Sequence, residues 1–245
     1  MGDATTQSRR ARLRAETTAE IKAIALTHMA TGGPAAISLR AIAREMGMTA
    51  GAIYSYFTSR DDLITALTAD VYDSLANVLE AAHRDAPSGR SADKVLAHAH
   101  AYREWAIANP EEFRLIYGDP VPGYKAPEAG AAQEAEHRLC AVLLGLVADA
   151  WPQAAASQAG CDYDWSDFQP SLAVMARELF PDLPPAAVAL CLRVWSRMHG
   201  LLTLEVYGHL RHQVHEPGKL YEADMHDLIR TLGLEDHAEV PSANG

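Results

Sequence analysis

Cysteine is scarce in this 245-residue chain: Cys140, Cys161 and Cys191 make three, an odd number, and no two stand at C-x-x-C spacing. That excludes a disulfide framework, a zinc knuckle and a dithiol redox pair, and it fits a reducing compartment. Long apolar runs are missing too. No stretch holds the roughly 18 uninterrupted apolar residues of a spanning helix. The opening MGDATTQSRRARLRAE carries charge with no apolar segment behind it, so a cytoplasmic protein with no membrane partner is expected. Also absent are a G-x-S-x-G elbow, an H-E-x-x-H pair and a glycine-rich phosphate loop, which leaves catalysis without its usual sequence marks. No cofactor is expected, and no metal.

Positive charge is in short supply as well. Twenty-one Lys and Arg face 32 Asp and Glu, a net charge of -11, which taken as an even spread argues against a polyanionic partner. The spread is not even. Residues 1–60 hold eight cations (Arg9, Arg10, Arg12, Arg14, Lys22, Arg40, Arg44, Arg60) against Asp3, Glu16, Glu20 and Glu45, for +4, and the remainder carries -15. With screening over about 8 Å at physiological salt, a basic N-terminal face can attract an anion that a distant acidic body does not effectively repel.

What is present is helical periodicity. Apolar residues recur at three- and four-residue spacing throughout, and the period-2 alternation of strands bounded by turn residues does not occur. A first helix is predicted from about Arg9 to Thr31, with Leu13, Ile21, Ile24, Ala25 and Met29 inward, stopping at Gly32-Gly33-Pro34. Ser38 caps a short second helix with Leu39, Ile42, Ala43 and Met46 on one face, and Gly47 ends it. Thr49 caps a third through Phe57, and Ser59-Arg60-Asp61-Asp62 opens a fourth to about His83. Further helices are expected at Ser91–Ala108, from Pro110, and at about Glu128–Trp151, Asp167–Leu179, Ala186–His212 and Tyr221–Leu232. Between them, Gly118 to Pro127 holds three prolines and two glycines and must be irregular. His209, His212 and His215 recur every three residues, a spacing read as one solvated helical face rather than a metal site.

The informative stretch is Ser38 to Phe57, SLRAIAREMGMTAGAIYSYF. Two capped helices meet at a glycine, with small Ala43 four residues before it and branched Ile53 six after. Helices crossing steeply need a small contact residue, a glycine corner and an apolar plug, and all three stand in register for a helix-turn-helix. Residues Thr18 to Leu67, above all GMTAGAIYSYFTSRDDLI, resemble the N-terminal domain of the TetR family of bacterial transcriptional regulators. Tyr54, Tyr56, Phe57 and Arg60 stand at that family's tyrosine, aromatic, phenylalanine and basic positions. Ala50 departs from its common proline and Arg60 from its common lysine. REWAIANPEEFRLIYGDPVPGYKAP and WSRMHG resemble a subgroup with a late Trp-x-x-x-His-Gly motif, here Trp195, His199 and Gly200.

The resemblance implies an all-α chain: an N-terminal three-helix DNA-binding domain, then a helical domain for ligand binding and dimerisation. The domains are expected as a basic arm at 1–15, a helix-turn-helix domain at 16–70, a ligand-binding and dimerisation domain at 71–234 and a flexible tail at 235–245. A recognition helix from Thr49 would enter the major groove, with small Thr49, Ala50 and Gly51 nearest the bases. Arg40 is the long side chain able to reach guanine, while Ser38, Tyr54, Tyr56 and Arg60 are suited to phosphates, and Arg9, Arg10, Arg12 and Arg14 to a basic arm. Tyr102, Trp105, Phe113, Tyr117, Met175, Trp195 and His199 are the ligand-pocket candidates, a reading that rests on the family. The function expected is a repressor that binds a palindromic DNA operator as a homodimer and is switched by a small-molecule effector. The alternative is a helical enzyme using histidines and carboxylates of the C-terminal region.

Overall fold

The computed structural model describes residues 3–234 apart from 88 and 128, so the tail expected at 235–245 lies outside the described residues. Among the described residues there are ten α-helices and no strand: α1 Asp3–Gly32, α2 Leu39–Glu45, α3 Ala50–Ile53, α4 Arg60–Arg84, α5 Ser91–Ala108, α6 Pro110–Tyr117, α7 Ala131–Ala154, α8 Pro170–Leu179, α9 Pro185–Val206 and α10 Pro217–Thr231. The chain divides into two compact units. One comprises Met1–Tyr72 with Asn109–Glu136, the other Asp73–Ala108 with His137–Gly245. Both α4 and α7 begin in the first unit and end in the second.

The first unit is built on the long α1. Its inner face, Ile21, Ala25 and Met29, packs with Ile37, Leu39, Ile42 and Ala43, with Ile53 and Phe57, and with Leu63, Ile64 and Leu67 from the start of α4. Each fully buried Leu or Ile here contributes roughly 1.5–3 kcal/mol relative to exposure. Leu13, placed inward by its spacing, is exposed, because α1 extends at its N-terminal end beyond this core. Arg9 to Arg14, read as an arm, are helical within α1, as good helix formers without Gly or Pro allow.

The proline-rich stretch after α6 is irregular as its composition requires, yet it is not a mere surface connection. Val121 enters the core of the first unit. The Tyr124 hydroxyl lies 3.0 Å from that of Thr65, and Arg60 donates to the carbonyl of Pro122 at 3.2 Å.

In the second unit α5, α9 and α10 pack together. Arg103 grips Glu205 with two hydrogen bonds, at 2.9 and 2.6 Å, Arg197 holds Asp224, and the buried Tyr221 hydroxyl donates to the Ala99 carbonyl at 3.2 Å. Arg138 on α7 spans three residues of α4, reaching Glu80, Asn77 and Asp73. Residues Ala131–Gln158 are long and apolar enough to cross a membrane by length and composition, contrary to the expectation from the sequence. Leu144, Leu146, Val147 and Ala150 of that segment are buried, most of its most apolar stretch is not, and Arg138 and Asp149 make ion pairs.

The end of α9 differs from the pattern-based expectation. It stops at Val206, not His212, because Gly208 takes a left-handed φ of 75°. Around it the amide of His209 donates to Leu204 at 2.8 Å and that of Gly208 to Glu205 at 2.9 Å, the two bonds of a Schellman stop. His209, His212 and His215 therefore lie in turns rather than along one helical face.

Candidate nucleic-acid interface

The helix-turn-helix is assembled from local bonds that its sequence dictates. Ser38 accepts from the Ala41 amide at 3.5 Å and Thr49 from the Ala52 amide at 3.2 Å, so both helices start on the expected caps. Between them Gly47 adopts φ 65°, and the Met48 amide reaches back to the Ala43 carbonyl at 2.8 Å. Ala43 is buried under the corner and Ile53 is fully buried beneath α3, the two apolar roles their spacing predicted.

The third helix is shorter than expected. It closes at Ile53, since the amides of Ser55 and Tyr56 bond three residues back, at 3.1 and 2.9 Å, and the Ser55 hydroxyl competes for the Ala52 carbonyl at 2.7 Å. Tyr54, Ser55, Tyr56 and Phe57 thus form a turn, with Tyr54 exposed and Tyr56 half-buried against the core. Thr49, Ala50 and Gly51 are exposed, as is Arg40 on α2. A β-carbon added to Gly51 would meet nothing within 4 Å, so nothing inside the fold requires glycine there.

Arg60 opens α4, where its motif puts a basic residue, and its side chain is engaged within the protein. Its guanidinium donates to the carbonyls of Ile37 (2.9 Å), Pro34 (2.9 Å) and Pro122 (3.2 Å), binding the entrance of α2 to the start of α4. Three of its five donors are thereby engaged within the protein. At the start of α4 the Ser59 hydroxyl accepts from the Asp62 amide at 3.0 Å, and the Thr58 hydroxyl bonds the Asp62 carboxylate. That bond outweighs burial and holds the Asp62 carboxyl below its ordinary range.

One exposed cation and one long-range contact lie outside the sequence reading. Arg44, in the last turn of α2, is exposed on the same short helix as Arg40, and its spacing of one turn was available as a signal. Arg14 bonds the Ser55 carbonyl at 2.6 Å, with its guanidinium 4.7 Å from the Tyr56 ring centre. No local pattern links residues 41 positions apart.

The seven residues read as pocket candidates divide between the units. Phe113, fully buried, and Tyr117, its ring 5.2 Å away, belong to the first. In the second, the Tyr102 hydroxyl lies 2.7 Å from His199 Nδ1, and the Trp195 ring is 5.3 Å from that of His199. Trp105, a turn along α5 from Tyr102, donates its indole N–H to Ser74 Oγ at 3.2 Å, and Met175 is half-buried on α8. Burial lowers the His199 pKa, which favours a neutral imidazole at pH 7.

Comparison with known proteins agrees with this geometry. The family model described as "Bacterial regulatory proteins, tetR family" matches residues 22–67, and one described as "Tetracyclin repressor-like, C-terminal domain" matches residues 95–228. HTH-type transcriptional regulators of Mycobacterium bovis and Mycobacterium tuberculosis are 34% identical over 212 residues, covering 82% of this chain and 85% of theirs. A crystal structure of a regulatory protein superimposes with TM-score 0.71 at 35% identity, covering 89% of this chain and 98% of that one. A tetR-family protein from Rhodococcus shares the fold with TM-score 0.58 at 18% identity, over 89% and 98% of the two chains. These relatives are regulators, not enzymes. With a helix-turn-helix at its N-terminal end, a helical C-terminal domain and relatives over most of its length, the chain belongs to the TetR family of bacterial transcriptional regulators.

Proposed function

We propose that this regulator is a repressor that binds a palindromic operator as a homodimer and is released or recruited by a small molecule held in the C-terminal helices. In this reading α3 lies in the major groove with Thr49, Ala50 and Gly51 against the bases, and Arg40 reaches a base edge from α2. Tyr54, Tyr56 and the capped starts of α2 and α4, at Ser38 and Ser59, take the phosphates. Arg60 acts mainly by holding the entrance of α2. Arg9, Arg10 and Arg12 add phosphate contacts from the outer turns of α1, acting where the DNA is, in the cytoplasm.

The observation that carries the reading is Gly51. It is the second residue of α3, exposed, with nothing within 4 Å of an added β-carbon, so the backbone there is open to close approach by another molecule.

The dimer surface is assigned to α9 and α10. Leu192, Leu204 and Leu220 are large apolar residues left exposed on these helices, and Gly200 lies exposed between the first two with open space where a β-carbon would stand. The effector site is assigned to the cluster of Tyr102, Trp195 and His199, with Trp105 and Met175 contributing from α5 and α8. An effector acts by population shift, favouring a dimer whose two α3 helices no longer match the half-site spacing.

Selection of bound fragments from a random duplex pool tests the proposal. An enriched inverted repeat supports it, and a pool that emerges unenriched contradicts it.

A further inference from the structure

Helix α3 is one turn long, and one turn does not hold itself. A helix nucleus of this size fixes several dihedrals for one or two hydrogen bonds. The turn that follows, residues 54–57, is secured by bonds to carbonyls of Ala52 and Ile53, which belong to the same short segment. The side chains read as phosphate contacts, Tyr54 and Tyr56, leave the chain in that turn.

Buried Ile53 and Phe57 anchor the inner side of the turn in the core, and its exposed side is supported from α1. Ile21, Ala25 and Met29 fix that helix in the core, and Arg14 lies two turns upstream of Ile21 on the same face. From there its Nη2 donates to the Ser55 carbonyl at 2.6 Å, while its Cζ sits over the Tyr56 ring, 4.7 Å from the ring centre. A cation over an aromatic face and a charged donor on an exposed carbonyl both favour this arrangement. Together they tie the exit of α3 to the longest helix of the first unit.

We propose that Arg14 is a positioning residue for operator recognition, setting the direction in which Tyr54 and Tyr56 leave α3. The proposal rests on the DNA-binding reading above. Arg14 acts through the turn it holds, and the planar guanidinium is essential because it stacks and donates at once. A lysine keeps the charge and loses that geometry.

The test uses the full chain as Arg14→Ala and Arg14→Lys, with two readouts. In the free protein, amide hydrogen exchange at residues 55–57 is expected to quicken about tenfold in both variants, with residues 21–29 and the helical circular dichroism unchanged. On a duplex carrying the repeat enriched from a random pool, both variants bind about tenfold more weakly, and the slope of log affinity against log salt stays that of the wild type. Unchanged exchange at residues 55–57 overturns the proposal. So does rescue by lysine together with a slope reduced by about 0.9 in the alanine variant, the signature of one lost phosphate contact. A pool without enrichment overturns the DNA-binding reading itself, whatever the exchange shows.

Discussion

The amide of Met48 donates to the carbonyl of Ala43 at 2.8 Å across a glycine whose φ is 65°, and this single closure sets the corner between α2 and α3. The bond requires Gly47 to stand in the left-handed region. A β-carbon there would meet open space, so the cost of replacing the glycine is conformational and not a clash. Gly47→Ala is expected to destabilise the fold by about 1–2 kcal/mol, the ordinary cost of a left-handed L-residue. A denaturation midpoint equal to the wild type's would contradict that account of the corner.

Gly51 predicts the opposite sign. It lies in a helix with ordinary φ and no neighbour at the added carbon, so Gly51→Ala is expected to raise stability by several tenths to about 1 kcal/mol. Operator affinity should fall in the same variant, because the methyl stands where a base edge approaches. Tyr54→Ala should weaken binding about tenfold with circular dichroism and mass in solution unchanged. If both variants bind as the wild type does, α3 is not the reading element.

Acid should loosen the second unit before it titrates any carboxylate. His98 is buried with its Nδ1 2.7 Å from His83 Nε2, and burial followed by the neighbouring His83 pushes its pKa down to about 3. Burial likewise lowers His83 and His199. Groups with depressed histidine pKa values stay neutral in the folded protein while the unfolded chain takes up protons. Stability is therefore unaffected above about pH 6.5 and falls below it, by up to about 1.4 kcal/mol per pH unit for each such histidine. Unfolding free energies measured from pH 7.5 to 5 should show this slope, and His98→Gln should flatten it. A level profile in the wild type would contradict the neutral pair.

The dimer assignment predicts a change in mass. Leu192→Glu with Leu204→Glu places two carboxylates on the exposed face of α9, where like charges would oppose across a two-fold interface. Sedimentation or light scattering should show monomers with the helix content retained. A dimer that survives both changes would place the interface elsewhere.

Much of the DNA-binding unit is legible in the sequence because its determinants are local. Ser38, Ala43, Gly47, Thr49 and Ile53 act on neighbours within a few positions, and caps, corner and plug can be read from spacing alone. The less legible features depend on distance along the chain. Arg60 closes on carbonyls 23, 26 and 62 residues away, Val121 enters a core whose other members lie before residue 68, and Arg14 finds Ser55 41 positions on. Gly208 was legible in principle. The helix expected to reach His212 ends before Gly208, whose left-handed φ stops it. The pocket candidates are aromatic and flexible apolar residues, a composition that core and binding site share, and they fall in both units.

In this reading two copies of the chain contact two half-sites through α3. Its most direct measurement is the mass of the complex formed on the duplex enriched from a random pool, taken with the spacing of the bases protected on it. Two protomers per duplex, or a multiple of two, are expected, with half-site centres about 10 base pairs or a whole number of turns apart. Loss of the complex is expected when one half-site is scrambled. A single protomer bound to an asymmetric sequence, or a complex indifferent to the scrambled half-site, would contradict this reading.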